Sequence, residues 1–300
     1  MPVVRSFAVG NGDMFYITHG SDNFTIIDCQ LFGDHKEWLA DEIKEESGKK
    51  GISRFISTHP DEDHIEGLEY LDDRISIANF YVVKNKATKP DESVSFKHYC
   101  NLRDSDKSYY VEKGCKRKWM NQDGDGRGSS GISMLWPNVS NQYFKVALQE
   151  AADGKKFNNI SLVARYSIQD SASFMWIGDL ETQFMEDIYD DINLSPTTVV
   201  FAPHHGRKSG KLPDKWLDRL KPKIIVIGEA ESRHLYYYSG YNKITQTKAW
   251  DITFETDDNK IHCYASNPSY GPRDWLNNEG KPDKAFGREN RDYYVGTLNI

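Results

Sequence analysis

The stretch Ser57-Thr58-His59-Pro60-Asp61-Glu62-Asp63-His64 places four candidate metal ligands, His59, Asp61, Asp63 and His64, within six residues. The residues before it have strand character, and those after it could begin a helix, so we predict a loop that closes a strand. Imidazole and carboxylate groups together suit divalent ions such as Zn²⁺, Mn²⁺ or Fe²⁺. The alternative is a polar turn in which Asp and His cap the following helix.

The length and charge of the chain limit the classes of protein to which it can belong. Its 300 residues suffice for one large domain or two small ones. The net charge of −7 argues against binding nucleic acid by bulk charge. A nuclease stays open, because metal ions and local Lys or Arg offset the field. The scattered cysteines predict reduced thiols and a cytoplasmic location, and neither a signal peptide nor a membrane span is expected.

Two further groups of candidate ligands follow apolar strands. Asp179 comes after a strand and a glycine, and His204 and His205 come after another strand. Adjacent histidines are expected to point in different directions, so that one ligates and the other reaches the substrate or supports the site. Arg207 and Lys208 follow as donors that suit a phosphate. We expect these clusters to converge on one edge of a sheet, where they would supply a dinuclear site with a bridging carboxylate.

The rest of the chain predicts a β-rich framework with one segment that breaks the pattern. A tight hairpin turn is predicted at residues 10–13, and strands are predicted over 158–166 and 173–177 as a simple hairpin. Residues 84–131 are dense in Lys, Asp, Ser and Gly with interleaved aromatics. That segment is either a substrate-facing insertion that touches phosphates and stacks bases, or a solvated surface excursion. The aromatics of residues 266–300 predict that the tail packs on the body.

Together these motifs resemble a metallo-β-lactamase-fold hydrolase, and more narrowly the hydrolase domain of the ComEC-type DNA-uptake competence proteins and their soluble relatives. The matching segments, in the family's order, are Val9–Asp13, the strand ending at Asp28, Ser57–His64, Leu135–Pro137, Asn158–Val163, Ile177–Leu180 and Ala202–Gly206. The resemblance implies an α/β fold, a four-layer αββα sandwich with the metals at the sheet edge. The hydrolase domain would span residues 1–265 with an insertion at about 84–131, and residues 266–300 would form a C-terminal extension packed on it.

The resemblance also implies a ligand set for two divalent ions, Zn²⁺ or Mn²⁺, with Mg²⁺ a third candidate. The implied ligands are His59 and Asp61 for one metal, Asp63 and His64 for the other, Asp179 between them, and His204 or His205 to complete the second. The histidine that usually precedes the bridging aspartate is absent, and Asn158 or Asn159 stands near its place, so Asn159 is a candidate ligand. The oxygen-rich first site favours Mn²⁺ or Mg²⁺ over Zn²⁺.

The function implied is a metal-dependent hydrolase, most specifically a phosphodiesterase or nuclease that uses a metal-activated water. Asp63 is a candidate to orient the water, and Arg207, Lys208 and His234 are candidates to steady the phosphate. His234 could equally be an ordinary surface histidine. Alternatives are a hydrolase of a small nucleotide, phosphoester or lactone, which the acidic charge favours, and a non-catalytic metal-binding sensor or partner protein. The expected partners are a nucleic acid or nucleotide and a protein from a multi-gene system, with no membrane.

Overall fold

The computed structural model describes residues 1–230, 232–234, 236–286 and 291–300. Within them the strands are β1 (Val3–Ser6), β2 (Phe15–Thr18), β3 (Asn23–Ile27), β4 (Cys29–Gln30), β5 (Ile52–Ile56), β6 (Phe80–Val82), β7 (Ser108–Tyr110), β8 (Ile132–Trp136), β9 (Val163–Ser167), β10 (Ser173–Trp176), β11 (Val199–Phe201), β12 (Ile224–Ile227), β13 (Lys243–Thr245), β14 (Ile252–Asp257), β15 (Lys260–Ala265), β16 (Lys284–Ala285) and β17 (Arg291–Asn299). The helices are α1 (Lys36–Gly48), α2 (Glu62–Ile65), α3 (Leu68–Ile75), α4 (Val94–Arg103), α5 (Gln142–Ala152), α6 (Thr182–Asp187), α7 (Asp214–Leu220) and α8 (Gln246–Ala249).

All of these strands except β4 form two mixed sheets. The first has the order β16-β17-β15-β14-β1-β2-β3-β5-β6-β7, and the second has the order β13-β12-β11-β10-β9-β8. β3, β5, β6 and β7 run parallel to one another, as do β10, β11, β12 and β13. β9 and β10 form the predicted antiparallel hairpin. β10 and β11 are parallel neighbours, so the loops that follow them lie at one edge of the second sheet. The loop after β5, from the first sheet, meets them there, since a Cβ built on Gly178 would lie 3.1 Å from the Thr58 Cβ.

Aromatic side chains fill the space between the two sheets. The ring of Phe15 lies 4.8 Å from that of Phe201 and 6.0 Å from that of Trp176, centroid to centroid. Phe254 and Phe174 lie 5.8 Å apart in the same layer. Helices cover the outer faces, with α1 against β2 and β3 on one side, and α5 and α6 against the end of β8 on the other. The predicted four-layer αββα sandwich is therefore confirmed.

The segment 84–131 contributes regular structure to the first sheet. It contains α4 and β7, and β7 pairs with β6 in parallel. Two of its cations are engaged within the protein: Lys113 donates to the carbonyl of Asp191 at 2.5 Å, and the Arg117 guanidinium lies 4.2 Å from the Tyr109 ring centre. Lys113 thus ties the segment to the body of the protein, and Arg117 contacts a tyrosine of the segment itself.

A buried arginine ties the tail to the first sheet. Arg5 in β1 donates to Asp292 in β17, and its guanidinium nitrogens lie 3.0 Å from Glu42 and 3.4 Å from Asp251. Burial raises the pKa of Glu42 to about 7, even though Arg5 opposes that rise. One buried cation is thus shared by three carboxylates, and β17 extends the sheet by pairing with β15.

Two predicted boundaries are wrong. β1 ends at Ser6, and residues 7–14 form a long loop in place of a tight turn. This loop is tied to residues 57–64 by the Asp13 N–H, which donates to the carbonyl of Asp63 at 3.1 Å. Residues Asn158–Ile160 form a 3₁₀ turn, so the strand begins at Val163. Among the described residues, no helix combines the length and apolar character needed to cross a membrane.

Candidate metal centre

Asp179 lies at the middle of the sheet edge because of the glycine before it. Gly178 has φ +57°, and a Cβ built on it would lie 2.7 Å from the Ser161 Cβ and 3.1 Å from the Thr58 Cβ. Only glycine satisfies both the close approach and the left-handed backbone. The Asp179 N–H donates to the Ser161 hydroxyl at 3.0 Å, and the carboxylate is buried. The backbone therefore fixes the position of Asp179 between the segment of Thr58 and that of Ser161.

Four imidazoles direct Nε2 at the Asp179 carboxylate. The distances from Nε2 to a carboxylate oxygen of Asp179 are 3.9 Å for His59, 3.2 Å for His64, 3.7 Å for His204 and 3.6 Å for His205. His59 comes from the loop after β5 and His64 from the short helix α2 that follows it, whereas the other two rings come from the segment after β11. The structure thus brings together the two histidine groups that the sequence placed more than a hundred residues apart.

An oxygen on the other side of each ring holds its orientation. The oxygens that lie against Nδ1 are Thr58 Oγ1 at 3.1 Å for His59, Asp28 Oδ2 at 2.8 Å for His64, Ser209 Oγ at 2.9 Å for His204 and Asp13 Oδ1 at 3.2 Å for His205. Proteins use this arrangement to fix the tautomer of metal-ligating histidines. It leaves the Nε2 atoms of the rings facing the carboxylate as potential ligands.

Asp28 and Asp13 each contact a histidine of the cluster, a contact that the sequence did not predict. Besides orienting His64, Asp28 accepts hydrogen bonds from the Thr58 N–H at 2.7 Å and the Thr58 hydroxyl at 2.6 Å. Asp13, His64, Asp179 and His205 offer ligand atoms within 4.8 Å of one another. Because Asp13 Oδ1 faces Nδ1 of His205, we assign it to orienting that ring. Asp28 follows an apolar strand just as Asp179 does, so the same signal could have identified it.

The two adjacent histidines do not point in different directions as predicted. His204 and His205 have φ values of +51° and +55°, both in the left-handed region. Two such residues in succession curl the backbone, so both rings turn toward Asp179. Non-glycine residues in this conformation are uncommon and concentrate at functional sites.

Unpaired buried atoms test whether this cluster fits a divalent ion. His59 Nε2, His64 Nε2, His205 Nε2 and Asp179 Oδ1 are all buried and lack hydrogen-bond partners among the described residues. Leaving such atoms unpaired is costly, unless a cation satisfies them. A set of imidazole nitrogens and a carboxylate oxygen suits Zn²⁺ or Mn²⁺. The residues present therefore fit a divalent metal.

Two further carboxylates flank the histidines on the open side of the cluster. Asp61 Oδ2 lies 3.5 Å from His59 Nε2, and Asp63 Oδ2 lies 3.5 Å from His205 Nε2. Their side chains are 30% and 26% exposed, in contrast to the buried Asp179. The cluster therefore opens to solvent at these two carboxylates.

The remaining predicted site residues fall into two places. Asn159 is engaged by Glu181, whose N–H donates to the Asn159 carbonyl at 3.1 Å and whose carboxylate accepts from the Asn159 amide at 2.9 Å. The structure does not bring it into the histidine cluster. Arg207, Lys208 and His234 line one cleft beside the cluster, together with Ser209, which contacts His204.

The charges in the cluster shift its titration strongly. Burial alone would lower the pKa of His64 and of His205, but Asp179 outweighs it, aided by Asp28 at His64 and by Asp13 at His205. The pKa of His64 is raised, and that of His205 rises to about 10. Burial would raise the pKa of Asp179, yet His64 and His205 hold it well below its usual value. In the absence of a metal, Asp179 and its neighbouring carboxylates therefore favour the protonated form of His64 and His205 at neutral pH.

Metal binding should consequently release protons. A ligating imidazole must be neutral, so an ion displaces the protons of His64 and His205, about two per protein at pH 7. Because both pKa values are raised, metal affinity should increase as the pH rises from 6 toward 10, which is about the pKa of His205. Calorimetry of Zn²⁺ binding in buffers of different ionisation enthalpy measures the proton count. His98→Gln, which removes a histidine paired with Asp72 outside the cluster, is the control and should leave the count unchanged. A count of zero contradicts the prediction.

Comparison with known proteins places these features in context. No family model matches the chain. ComE operon protein 3 of Bacillus subtilis (strain 168) is 24% identical over 202 residues, which make up 66% of this chain and 22% of that protein. The chain thus spans about a fifth of the length of this curated relative.

Three solved structures resemble the chain at low identity. Igni18, a metallo hydrolase from Ignicoccus hospitalis KIN4/I, has a TM-score of 0.46 and 14% identity, over 85% of this chain and 100% of that chain. A member of the metallo-beta-lactamase superfamily from Thermotoga maritima has a TM-score of 0.33 and 12% identity, over 77% of this chain and 78% of its own. The metallo-beta-lactamase SMB-1, solved with mercaptoacetic acid, has a TM-score of 0.33 and 10% identity, over 62% and 73%.

Proposed function

We propose that this chain is a metal-dependent phosphodiesterase that acts on nucleic acid or nucleotides, with its centre around Asp179. The observation that carries the proposal is a cationic cleft beside the histidine cluster. Its volume is about 680 Å³, and Arg207, Lys208, Lys211 and His234 line it. The cleft adjoins the cluster because the hydroxyl of Ser209, which also lines it, lies 2.9 Å from His204 Nδ1.

The charge of this cleft is opposite to that of the whole chain. The net charge of the protein is −7, yet Arg207 and Lys208 pair with no carboxylate of the described residues. Cations left unpaired beside a metal site favour an anionic substrate. The planar guanidinium of arginine can form bidentate hydrogen bonds with a phosphate. The resemblance to ComEC-type DNA-uptake proteins supports a nucleic-acid substrate, although the match covers 22% of ComE operon protein 3.

The residues of the cluster would have two roles in hydrolysis: to bind the metal ions and to orient the attacking water. His59, His64, His205 and Asp179 would hold the ions, with Asp61, Asp63 and His204 completing two sets. Bound divalent ions lower the pKa of a coordinated water and neutralise charge on a phosphate. The Asp63 carboxylate lies 3.5 Å from His205 Nε2, and its side chain is 26% exposed. It would therefore be able to accept a hydrogen bond from a water that attacks from the open side of the cluster.

Hydrolysis of bis-p-nitrophenyl phosphate and of DNA with Mn²⁺ or Zn²⁺ tests the proposal. We expect metal-dependent cleavage of both, and loss of cleavage in Asp63→Ala and His64→Ala. A small-substrate enzyme would cleave the small diester and ignore the polymer. Absence of cleavage of any phosphodiester with every ion, or full activity in these variants, would overturn the proposal.

The cationic cleft should control substrate affinity more than turnover. Arg207→Ala and Lys208→Ala each remove a charge-assisted contact to a phosphate, so we expect KM for DNA to rise about tenfold in each. The slope of log KM against log salt should also fall by about one per removed cation. Arg219→Ala in α7 is the matched control, because it removes an exposed arginine from outside the cleft. Equal KM values for Arg207→Ala and Arg219→Ala would contradict the role of the cleft.

A further inference from the structure

A second cleft of about 640 Å³ lies next to the metal centre, lined by Ala8, His35, Trp38, Glu229, Trp250, Asp251 and Ser266. Two connections join it to the centre. The loop of residues 7–14 has Ala8 in this cleft and Asp13 against His205. In addition, a Cβ built on Gly228 would lie 3.1 Å from the His205 Cβ, and the next residue, Glu229, lines the cleft. We call it the aromatic cleft.

Two tryptophans, Trp38 and Trp250, are among the residues that line the aromatic cleft. Trp38 is held in place by its indole N–H, which donates to His35 Nδ1 at 3.0 Å. Trp250 is 48% exposed and has φ +60° and ψ −130°. A bulky residue in this region of backbone space is strained, whereas glycine would adopt it freely. Strained residues persist mainly at sites of function, so the half-exposed Trp250 ring is a candidate contact for a ligand.

The charge of the aromatic cleft is negative. Among the residues that the structure describes, Glu229 forms no hydrogen bond or ion pair. Asp251 accepts from the Ala8 N–H at 2.8 Å and shares Arg5 with two other carboxylates. No lysine or arginine is among the described residues that line the cleft. The half-buried Glu229 carboxylate is therefore available to a cation.

We propose that the aromatic cleft binds an organic cation, an alkylammonium or quaternary ammonium group of a small molecule. The indoles of Trp38 and Trp250 contact the carbons that carry the positive charge, and the Glu229 carboxylate serves as counter-ion. Tryptophan faces attract such cations more strongly than other aromatic rings do, and cages of aromatic residues recognise quaternary ammonium ligands. The inference goes beyond the proposed hydrolysis, because it requires neither a metal nor a phosphate.

Choline and its neutral isostere, 3,3-dimethylbutan-1-ol, test this proposal on the metal-free full chain. The two probes share shape and differ in charge. We expect saturable quenching of tryptophan fluorescence by choline, and at least about tenfold weaker binding of the alcohol. Glu229→Gln should weaken choline binding by about tenfold while retaining both indoles, and Trp250→Phe should weaken it with the fold preserved. Glu92→Gln, which removes an exposed carboxylate elsewhere, is the matched control and should bind choline as the wild type does.

Calorimetry on the same samples decides the outcome independently of fluorescence. Equal affinity for choline and the alcohol would overturn the cation site, as would wild-type choline binding in Glu229→Gln or no saturable binding of choline. Since the assay uses no metal and no phosphodiester, a negative result here leaves the proposed hydrolysis intact. Conversely, an inactive enzyme that binds choline would overturn the hydrolysis alone.

Discussion

Asp179→Asn should lose the metal ions of the centre while the protein remains folded. The substitution keeps the shape of the side chain and the hydrogen bond from the backbone N–H to Ser161. It removes the negative charge that faces four histidine Nε2 atoms. Outer-sphere changes alone lower metal affinity by about 10–100-fold, so loss of the central ligand should lower it by more than about 100-fold. The phosphodiesterase activity proposed above should fall with it.

Metal content after dialysis, measured by elemental analysis, is the readout for Asp179→Asn. Asp72→Asn provides the control, because Asp72 also pairs with a histidine, His98, but lies outside the cluster. We expect wild-type metal content in the control and a near absence of metal in Asp179→Asn. Retention of bound metal at the wild-type level would show that Asp179 is not a ligand.

Arg5→Met should destabilise the fold more than any change at the metal centre. It removes the cation on which Glu42, Asp251 and Asp292 converge and leaves three carboxylates buried together. Removing one partner of a buried ion pair costs about 3–5 kcal/mol of unfolding free energy. Denaturant unfolding followed by fluorescence measures this loss.

The loss of stability should depend on pH with a defined sign. Burial already raises the pKa of Asp251 and of Asp292, and raises that of Glu42 from 4.5 to about 7, despite Arg5. The folded state therefore binds more protons than the unfolded state, and stability falls as the pH rises through this range. Without Arg5 these pKa values rise further, so Arg5→Met should be mild at pH 5 and severe at pH 8.

Arg165→Met supplies the matched control for that experiment. Arg165 donates to Ser195 and to the carbonyl of Pro196 at 2.5 and 2.7 Å, and it has no carboxylate partner in the described part of the chain. Its replacement should lower stability by a similar amount at pH 5 and pH 8. An Arg5→Met variant whose stability does not change with pH would contradict the shared-cation interpretation.

The candidate ligands could be predicted where they lie in a short sequence motif that follows an apolar strand. His59, Asp63, His64, Asp179, His204 and His205 stand in short segments after apolar strands, so sequence order was enough to group them. Asp13 and Asp28 were not assigned, because orienting a ring is a property of distance across the fold. The orientation of His204 and His205 was also missed, since two successive residues with positive φ are rare outside glycine.

The fold was predictable where hydrophobic periodicity was strong. The central strands and the β9–β10 hairpin were found, because each is an apolar run bounded by turn residues. β7 and β17 were not found. β7 has only three residues, and β17 lies in a tail whose Gly, Pro and Asn content masks its alternation. Short strands gain their stability from neighbours in the sheet, which local sequence does not reveal.

The pairing of β1 with β14, and of Arg5 with Asp292, has a consequence for synthesis in the cell. β1 pairs Val3 with Glu255, and Arg5 meets a carboxylate 287 residues away. On the ribosome, β1 can pair with β2 soon after both emerge, but it lacks its other neighbour, β14, until residues 252–257 have been made. Arg5 lacks Asp292 for longer still. Contacts of such long range form slowly and leave partly folded chains open to aggregation. We therefore expect the nascent chain to complete its fold only after residues 252–299 have emerged from the ribosome, and not when residues 57–64 emerge.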